Sequence, residues 1–364
     1  MSEAQLNPWR GRIVLLTLVH GVGTIGYTSV MTMAPVIRAD LDLNATQVGS
    51  FMSAFYFALT LGAIPAGALA DRLGVALSLS LASFLMAVGA GLFAAISSYV
   101  PAVIATFVMG LGYALVNPAT AKGVLNWFKP EHRATAMGVK QMGVPMGGLV
   151  ASGFGAMVVF MPWRWALWSA AAAAMIIGLC WWHLIQRRTI GGGGLGAALR
   201  NLKSIMTNRN LMKFNLASVS FNAGQQSFIT YLTLFLRDVA GASQPFAALC
   251  VGFSQITGAA GRVFWAFFSD RFAKGRRKGV VVGIMTTAAA SMFVFTAANP
   301  SWHVAVLAIL ALLLGGAVGP IIFGLIVDHA GGYMAAWTAT GALVLAGAIL
   351  VALGFKEDQS AAKN

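Results

Sequence analysis

Three side chains that carry charge, or readily take it up, lie inside long apolar stretches of this chain: His20 in "VHGVGTIGY", Lys140 in "GVKQMGVPMGG" and Arg262 in "GAAGRVFWAFF". No acid accompanies them, since Asp40, Asp42, Asp71, Glu131, Asp238, Asp270 and Asp328 all fall at the ends of such stretches or between them. A charge held in hydrocarbon costs at least ~2.5 kcal/mol, so a lysine kept there without a partner acid is a candidate for holding a negative ligand and repelling a positive one. Lys140 is therefore read as the group that meets a bound anion. The alternative is that its stem snorkels to the headgroups, because it lies only ~10 Å from the cytosolic end of its stretch. Gln141 beside it both donates and accepts, but points ~100° away around a helix.

A histidine can titrate near physiological pH, so His20 is the candidate for proton coupling; the plainer reading is a neutral ring bonded to a neighbouring helix. Arg262 precedes Asp270 by eight residues, ~12 Å along a helix, which suits a gate at the cytosolic end better than a ligand site. In "NAGQQSFITYL", Asn222, Gln225 and Gln226 share one helix face, so Gln225 and Gln226 either contact a ligand or bond between helices. Asn117 before Pro118, Gln255 and Tyr27 are further polar candidates. Cys180 and Cys250 have no ligand spacing, so no metal is expected. Neither a phosphate-binding glycine loop nor a nucleophile elbow occurs, so no catalysis and no cofactor are expected.

These residues need elements that cross a membrane. The chain has 364 residues, 58% hydrophobic and 9% charged, against about 25% charged in an average soluble domain. Its apolar residues form eleven runs: 12–37, 46–70, 74–97, 100–126, 134–161, 164–185, 211–236, 245–268, 279–298, 303–327 and 333–354. Each is near the ~20 residues a helix needs to span the bilayer, which predicts an all-α membrane protein. The first run follows Arg10 and Arg12, is too long for a signal peptide and has no small-residue cleavage site, so it reads as an uncleaved anchor with a cytosolic N-terminus.

A net charge of +14 suggests nucleic acid in a soluble chain, but the cations are distributed otherwise. With Lys140 and Arg262 inside runs and only Arg38, Arg164 and Arg237 threaded outside, 19 of 24 Lys and Arg fall in cytosolic segments. That is the positive-inside bias of a bacterial inner-membrane protein, and nucleic acid is not an expected partner. The expected partners are the lipid bilayer, a small anionic solute and protons, with the chain a monomer.

A polar segment at 186–210 separates an expected N-terminal bundle, 1–185, from a C-terminal one, 211–364. A local pattern recurs across it: "GALADRLG" at 67–74 and "WAFFSDRFAKGRR" at 265–277, with Asp71-Arg72 and Asp270-Arg271 199 residues apart. By itself, Asp71 reads as the cap of a helix N-terminus after a tight turn and Arg72 as a residue pairing across the bundle. Gly143 and Gly147 read as a small-residue packing face. The repeat is uneven. Pro145 follows Asp71 by 74 residues, whereas its nearest counterpart, Pro320, follows Asp270 by 50, so the second half is about 24 residues short. Within the run 303–327, Val304 to Val327 spans ~36 Å at ~1.5 Å per residue, enough for one crossing and not two unless the glycines at 315, 316 and 319 and Pro320 fold it into a re-entrant pair, as if spans ten and eleven of a twelve-span protein were merged.

With Gly67, Asp71, Arg72 and Gly74, echoed by Asp270 and Arg271, the chain resembles a member of the major facilitator superfamily over nearly its whole length. The stretch "NWFKPEHRATAMGVKQMGVPMGG" is similar to bacterial permeases of the cyanate and organic-anion type. The chain departs from the family at Val75 and Ala76, where two basic residues are usual, at Ala266 for glycine, and at Thr106, where the family's arginine in span four would align. The resemblance implies two pseudo-symmetric six-helix bundles, the second shortened to about five spans, with spans one, four, seven and ten around a central cavity. It implies a secondary transporter of a small organic anion working by alternating access. Lys140, Gln141, Tyr27, Asn117, Gln225, Gln226 and Gln255 would contact the solute. Gly67, Asp71, Arg72, Gly74, Arg262, Asp270 and Arg271 would latch the cytosolic side. Proton-linked efflux of neutral or amphipathic compounds, and a transport-inactive protein with a truncated second half, are the alternatives.

Overall fold

Prolines and one glycine decide where the helices break. In the computed structural model, which describes residues 11–185, 207, 209–271, 277–296 and 332–354, the first apolar run is two helices, α1 (Ile13–Thr32) and α2 (Ala34–Asp40). Pro35 has no N–H to return to the preceding turn, and the chain breaks just before it at Met33. The start of α3 (Ala45–Ala95) is fixed by a reciprocal cap: the Gln47 N–H donates to the Asn44 side chain (2.8 Å) and the Asn44 N–H to the Gln47 side chain (2.9 Å). Two expected runs are joined in α3, and the residue that separates them is Gly74, at φ 77° and ψ 176°. That left-handed φ is disfavoured for any residue with a Cβ.

α4 (Tyr99–Trp127) follows, then α5 (Pro130–Gln141) and α6 (Gly143–Met157), which together are the single expected run 134–161. Pro130 sits in the first turn of α5, where its missing N–H costs nothing. Pro145 cannot bond the Gln141 carbonyl, and the helix is interrupted at Met142, beside the Lys140–Gln141 pair. α7 (Trp163–His183) ends the first half. The second half holds α8 (Arg209–Asp238), α9 (Gln244–Arg271), α10 (Arg277–Thr296) and α11 (Gly332–Gly354). The run 303–327 and most of the linker lie outside the described residues, as do the side chains of Arg262, Asp270 and Arg271. Among the described residues there are eleven helices and no strands, and the expected all-α class holds. Ile13–Thr32, Pro65–Ala95, Tyr99–Trp127 and Trp163–His183 are long and apolar enough to cross a membrane.

The chain divides into two units, one of residues 1–33 with 54–200, the other of 34–53 with 201–364. The first is packed through small residues. A Cβ on Gly143 would collide with the Thr17 carbonyl, and one on Gly147 with the Gly21 carbonyl, so α1 and α6 touch backbone to backbone. A Cβ on Gly110 would likewise strike the Phe55 carbonyl, bringing α4 onto α3. In the second unit, Ala217, Met285, Ala348 and Val351 form a buried cluster between α8, α10 and α11. The segment 34–53, although early in the chain, belongs to this unit. Tyr231 of α8 is buried and donates its hydroxyl to the Ala45 carbonyl (2.8 Å), and Arg38 pairs with Asp238 at 2.8 Å.

Candidate functional site

Lys140 is the penultimate residue of α5, one before Gln141, and is 2% exposed. It does not snorkel. Its Nζ donates to the Thr120 Oγ1 of α4 at 2.8 Å, a bond that holds the amine among the helices of the first unit. Two ion pairs are found among the described residues, Arg38–Asp238 and Asp71–Lys122, and neither involves Lys140. A buried ammonium with three donors and one neutral acceptor has capacity left for a carboxylate.

His20 of α1, fully buried, reaches the same oxygen: its Nε2 lies 3.2 Å from Thr120 Oγ1. The single hydrogen of Thr120 is already committed, because Oγ1 lies 2.6 Å from the Val116 carbonyl and 3.1 Å from that of Asn117. With that hydrogen on the carbonyls, the oxygen is free to accept from both neighbours, an arrangement that suits a His20 proton on Nε2; Nδ1 is buried with no partner among the described residues. The close approach of α1 and α6 at Gly21, Gly143 and Gly147 places His20 here, since the collision that a Cβ on Gly143 would make includes the His20 Cβ at 2.9 Å.

One turn along α4 a second rung joins the same helices. Gln141 Nε2 donates to Asn117 Oδ1 at 3.4 Å, and both side chains are exposed. The ~100° step between successive helical residues explains the contrast of a buried Lys140 with an exposed Gln141. Tyr27 is buried two helical turns beyond His20 and packs on Phe55 (centroids 4.5 Å apart) and edge-on to Tyr113 (5.8 Å), which in turn stands edge-on to His20 (6.3 Å). Five sequence candidates, Lys140, His20, Asn117, Gln141 and Tyr27, are thus brought into one neighbourhood of the first unit. The others lie in the second unit: Gln226 is buried, Gln225 and Gln255 are half-buried, and Asn222 bonds its own helix at the Ser218 carbonyl (2.7 Å).

At the loop motif, Asp71 does not cap a helix N-terminus. The break falls three residues later at Gly74, and the Asp71 carboxylate pairs with Lys122 of α4 at 3.1 Å. Lys122 Nζ also donates to the Ala70 and Asp71 carbonyls (3.2 Å each), groups that the approaching break deprives of helical partners. Arg72 is exposed and makes no ion pair among the described residues. No Cβ contact hinders Gly67 or Gly74. Thr120, Tyr113 and Lys122 escaped the sequence reading. A threonine in an apolar helix ordinarily bonds its own preceding turn, as Thr120 also does, so nothing in its spacing marks it.

Residues 16–355 match the family model described as Major Facilitator Superfamily. The "Probable L-galactonate transporter" of Escherichia coli (strain K12) is 22% identical over 306 residues, which are 78% of this chain and 68% of that protein. The "Hexuronate transporter" of Bacillus subtilis (strain 168) is 24% identical over 280 residues, 74% of this chain and 66% of that protein, so the chain spans about two thirds of the length of either relative. A solved bacterial homologue of the human lysosomal transporter Spinster, in an inward-facing and occupied conformation, has the same fold at a TM-score of 0.72 and 16% identity, over 96% of this chain and 97% of that one. The chain is a multi-pass membrane protein and belongs to the Major Facilitator Superfamily, a family of transporters rather than enzymes.

Proposed function

We propose that the chain is a secondary active transporter that carries a small organic anion of the sugar-acid class across the bacterial inner membrane by alternating access. The observation that carries the proposal is Lys140, whose buried ammonium has a neutral hydroxyl as its partner and no carboxylate within the described residues. A negative solute supplies the missing charge, and a cationic one is repelled. Beside the amine, the exposed Asn117–Gln141 rung offers both donors and acceptors, which suits a solute carrying hydroxyls next to its carboxylate. The names of the galactonate and hexuronate relatives point to the same chemistry. The cytosolic N-terminus follows from the placement of Lys and Arg, and protons are the coupling ion for which the chain offers a site, His20. Two helical bundles, divided at the polar linker, would move as a monomer. Gln225, Gln226 and Gln255 remain candidates for polar contact with the solute, and Asp71 with Lys122 is the candidate cytosolic latch.

The test is uptake of radiolabelled galactonate and galacturonate into proteoliposomes, with and without an inward proton gradient. A charge-assisted hydrogen bond is worth about 1.5–3 kcal/mol, so Lys140→Ala should weaken uptake at subsaturating solute by ~10-fold or more. Unchanged uptake by that variant sinks the charge assignment. Stimulation by the gradient supports proton coupling, and indifference to it removes His20 from that role. Export of neutral amphipathic dyes in place of acid uptake would overturn the substrate class.

A further inference from the structure

Among the described residues, Thr120 is hydrogen-bonded by both Lys140 and His20. The Lys140 amine arrives from α5 at 2.8 Å and the His20 ring from α1 at 3.2 Å, both on the hydroxyl oxygen of an α4 residue that is itself fully buried. A threonine that merely satisfied its own helix would need only the Val116 carbonyl, 2.6 Å away. Here that bond has a second effect, because it takes the hydroxyl's single hydrogen and turns both lone pairs outward as acceptors.

We infer that Thr120 is a positioning residue for anion recognition, its oxygen aiming the Lys140 amine and holding His20 in the Nε2–H form. The inference rests on the proposed anion site. A lysine has four rotatable bonds and gives up substantial rotamer freedom when it grips a ligand. With one N–H fixed on Thr120, the stem is already held, so less freedom is lost when the two other N–H groups meet a carboxylate. The hydroxyl also settles which nitrogen of His20 is the bare one. Nε2 donates, and Nδ1 is left as an acceptor for whatever donor or proton reaches it. Asn117, one turn earlier on the same helix, holds Gln141 in a parallel rung, so α4 bonds both Lys140 and Gln141 of α5.

Two measurements test this. In proteoliposome uptake, Thr120→Val, which keeps the shape and removes the oxygen, should raise the KM for the acid by ~10-fold or more with Vmax changed far less, while Thr120→Ser should stay within about threefold of the wild type. A serine variant as impaired as the valine variant would show that the methyl group's packing matters rather than the oxygen, and would overturn the inference. So would a valine variant with the wild-type KM. The second measurement needs no transport: 15N NMR of histidine side chains in the full-length protein in nanodiscs, with His20→Asn identifying the resonance. A single Nε2–H tautomer for His20 is expected, with Thr120→Val giving a mixture of tautomers. An Nδ1–H tautomer in the wild type overturns the inference even where the valine variant fails to fold. If Lys140→Ala leaves uptake intact while the tautomer result stands, the fault lies with the proposed anion site and not with the role of the threonine toward His20.

Discussion

Replacing Lys140 by methionine separates a residue kept for its ligand from one kept for the fold, because the two roles predict opposite signs. The residue is 2% exposed and its amine has the Thr120 hydroxyl as its partner, not a carboxylate. A lysine in a spanning segment costs up to about 2.5–3.5 kcal/mol, and its bond to a neutral acceptor returns about 1.5–3 kcal/mol, so the charge leaves a deficit of at most ~1 kcal/mol. Methionine matches the length of the stem, fills the same space and removes both quantities. Thr120 keeps its bond to Val116 and the one from His20. Lys140→Met should therefore melt at the wild-type temperature or ~2–4 °C above it, while acid uptake falls by ~10-fold or more. A lysine that served the fold through a buried ion pair would instead lose about 3–5 kcal/mol on the same change. The assay is thermal unfolding of purified protein in detergent at one fixed scan rate, followed by tryptophan fluorescence, with and without galactonate. Solute at ~100 times its Kd adds about 2.7 kcal/mol to a protein that binds it, so the wild type should gain several degrees and the methionine variant almost none. A methionine variant that melts well below the wild type, or that galactonate still protects, refutes the assignment.

The glycines make two further predictions of contrasting sign. In α6, Gly147→Val must push a side chain into the Gly21 carbonyl and toward the Thr24 Cβ at 2.9 Å, so it should destabilise by about 1–3 kcal/mol; Gly153→Val, on the same helix with nothing within 4 Å, should melt near the wild type. In the loop motif, Gly74→Ala should destabilise by about 1–2 kcal/mol through its φ of 77° alone, whereas Gly67→Ala, helical and unhindered, should be neutral or stabilising by up to ~1 kcal/mol; equal melting temperatures for these two variants would mean that backbone conformation is not what the motif's second glycine supplies.

Hydrocarbon makes some residues easy to read and hides others. The helices were legible because a span must be about 20 apolar residues long, and ten of the expected runs fall on described helices. Their joints were less so: Gly74 interrupts one long helix instead of leaving a loop, and Pro145 acts at Met142, because backbone hydrogen bonding registers a proline's missing donor a turn earlier in the chain. Lys140 and His20 stood out since nothing apolar explains a cation or an imidazole there. What the sequence cannot display is the acceptor that joins them. Thr120 is uncharged, suits an apolar helix and satisfies its own turn, so its part depends wholly on three helices meeting at one oxygen. The same holds at Asp71, which pairs with Lys122, 51 residues on, and not with the helix N-terminus it was expected to cap. In a membrane the ionisable member of a polar pair is conspicuous because it is expensive, while its neutral partner is inexpensive and common. Site residues of the first kind can be found by scanning for exceptions, and those of the second only by following the hydrogen bonds outward from the first.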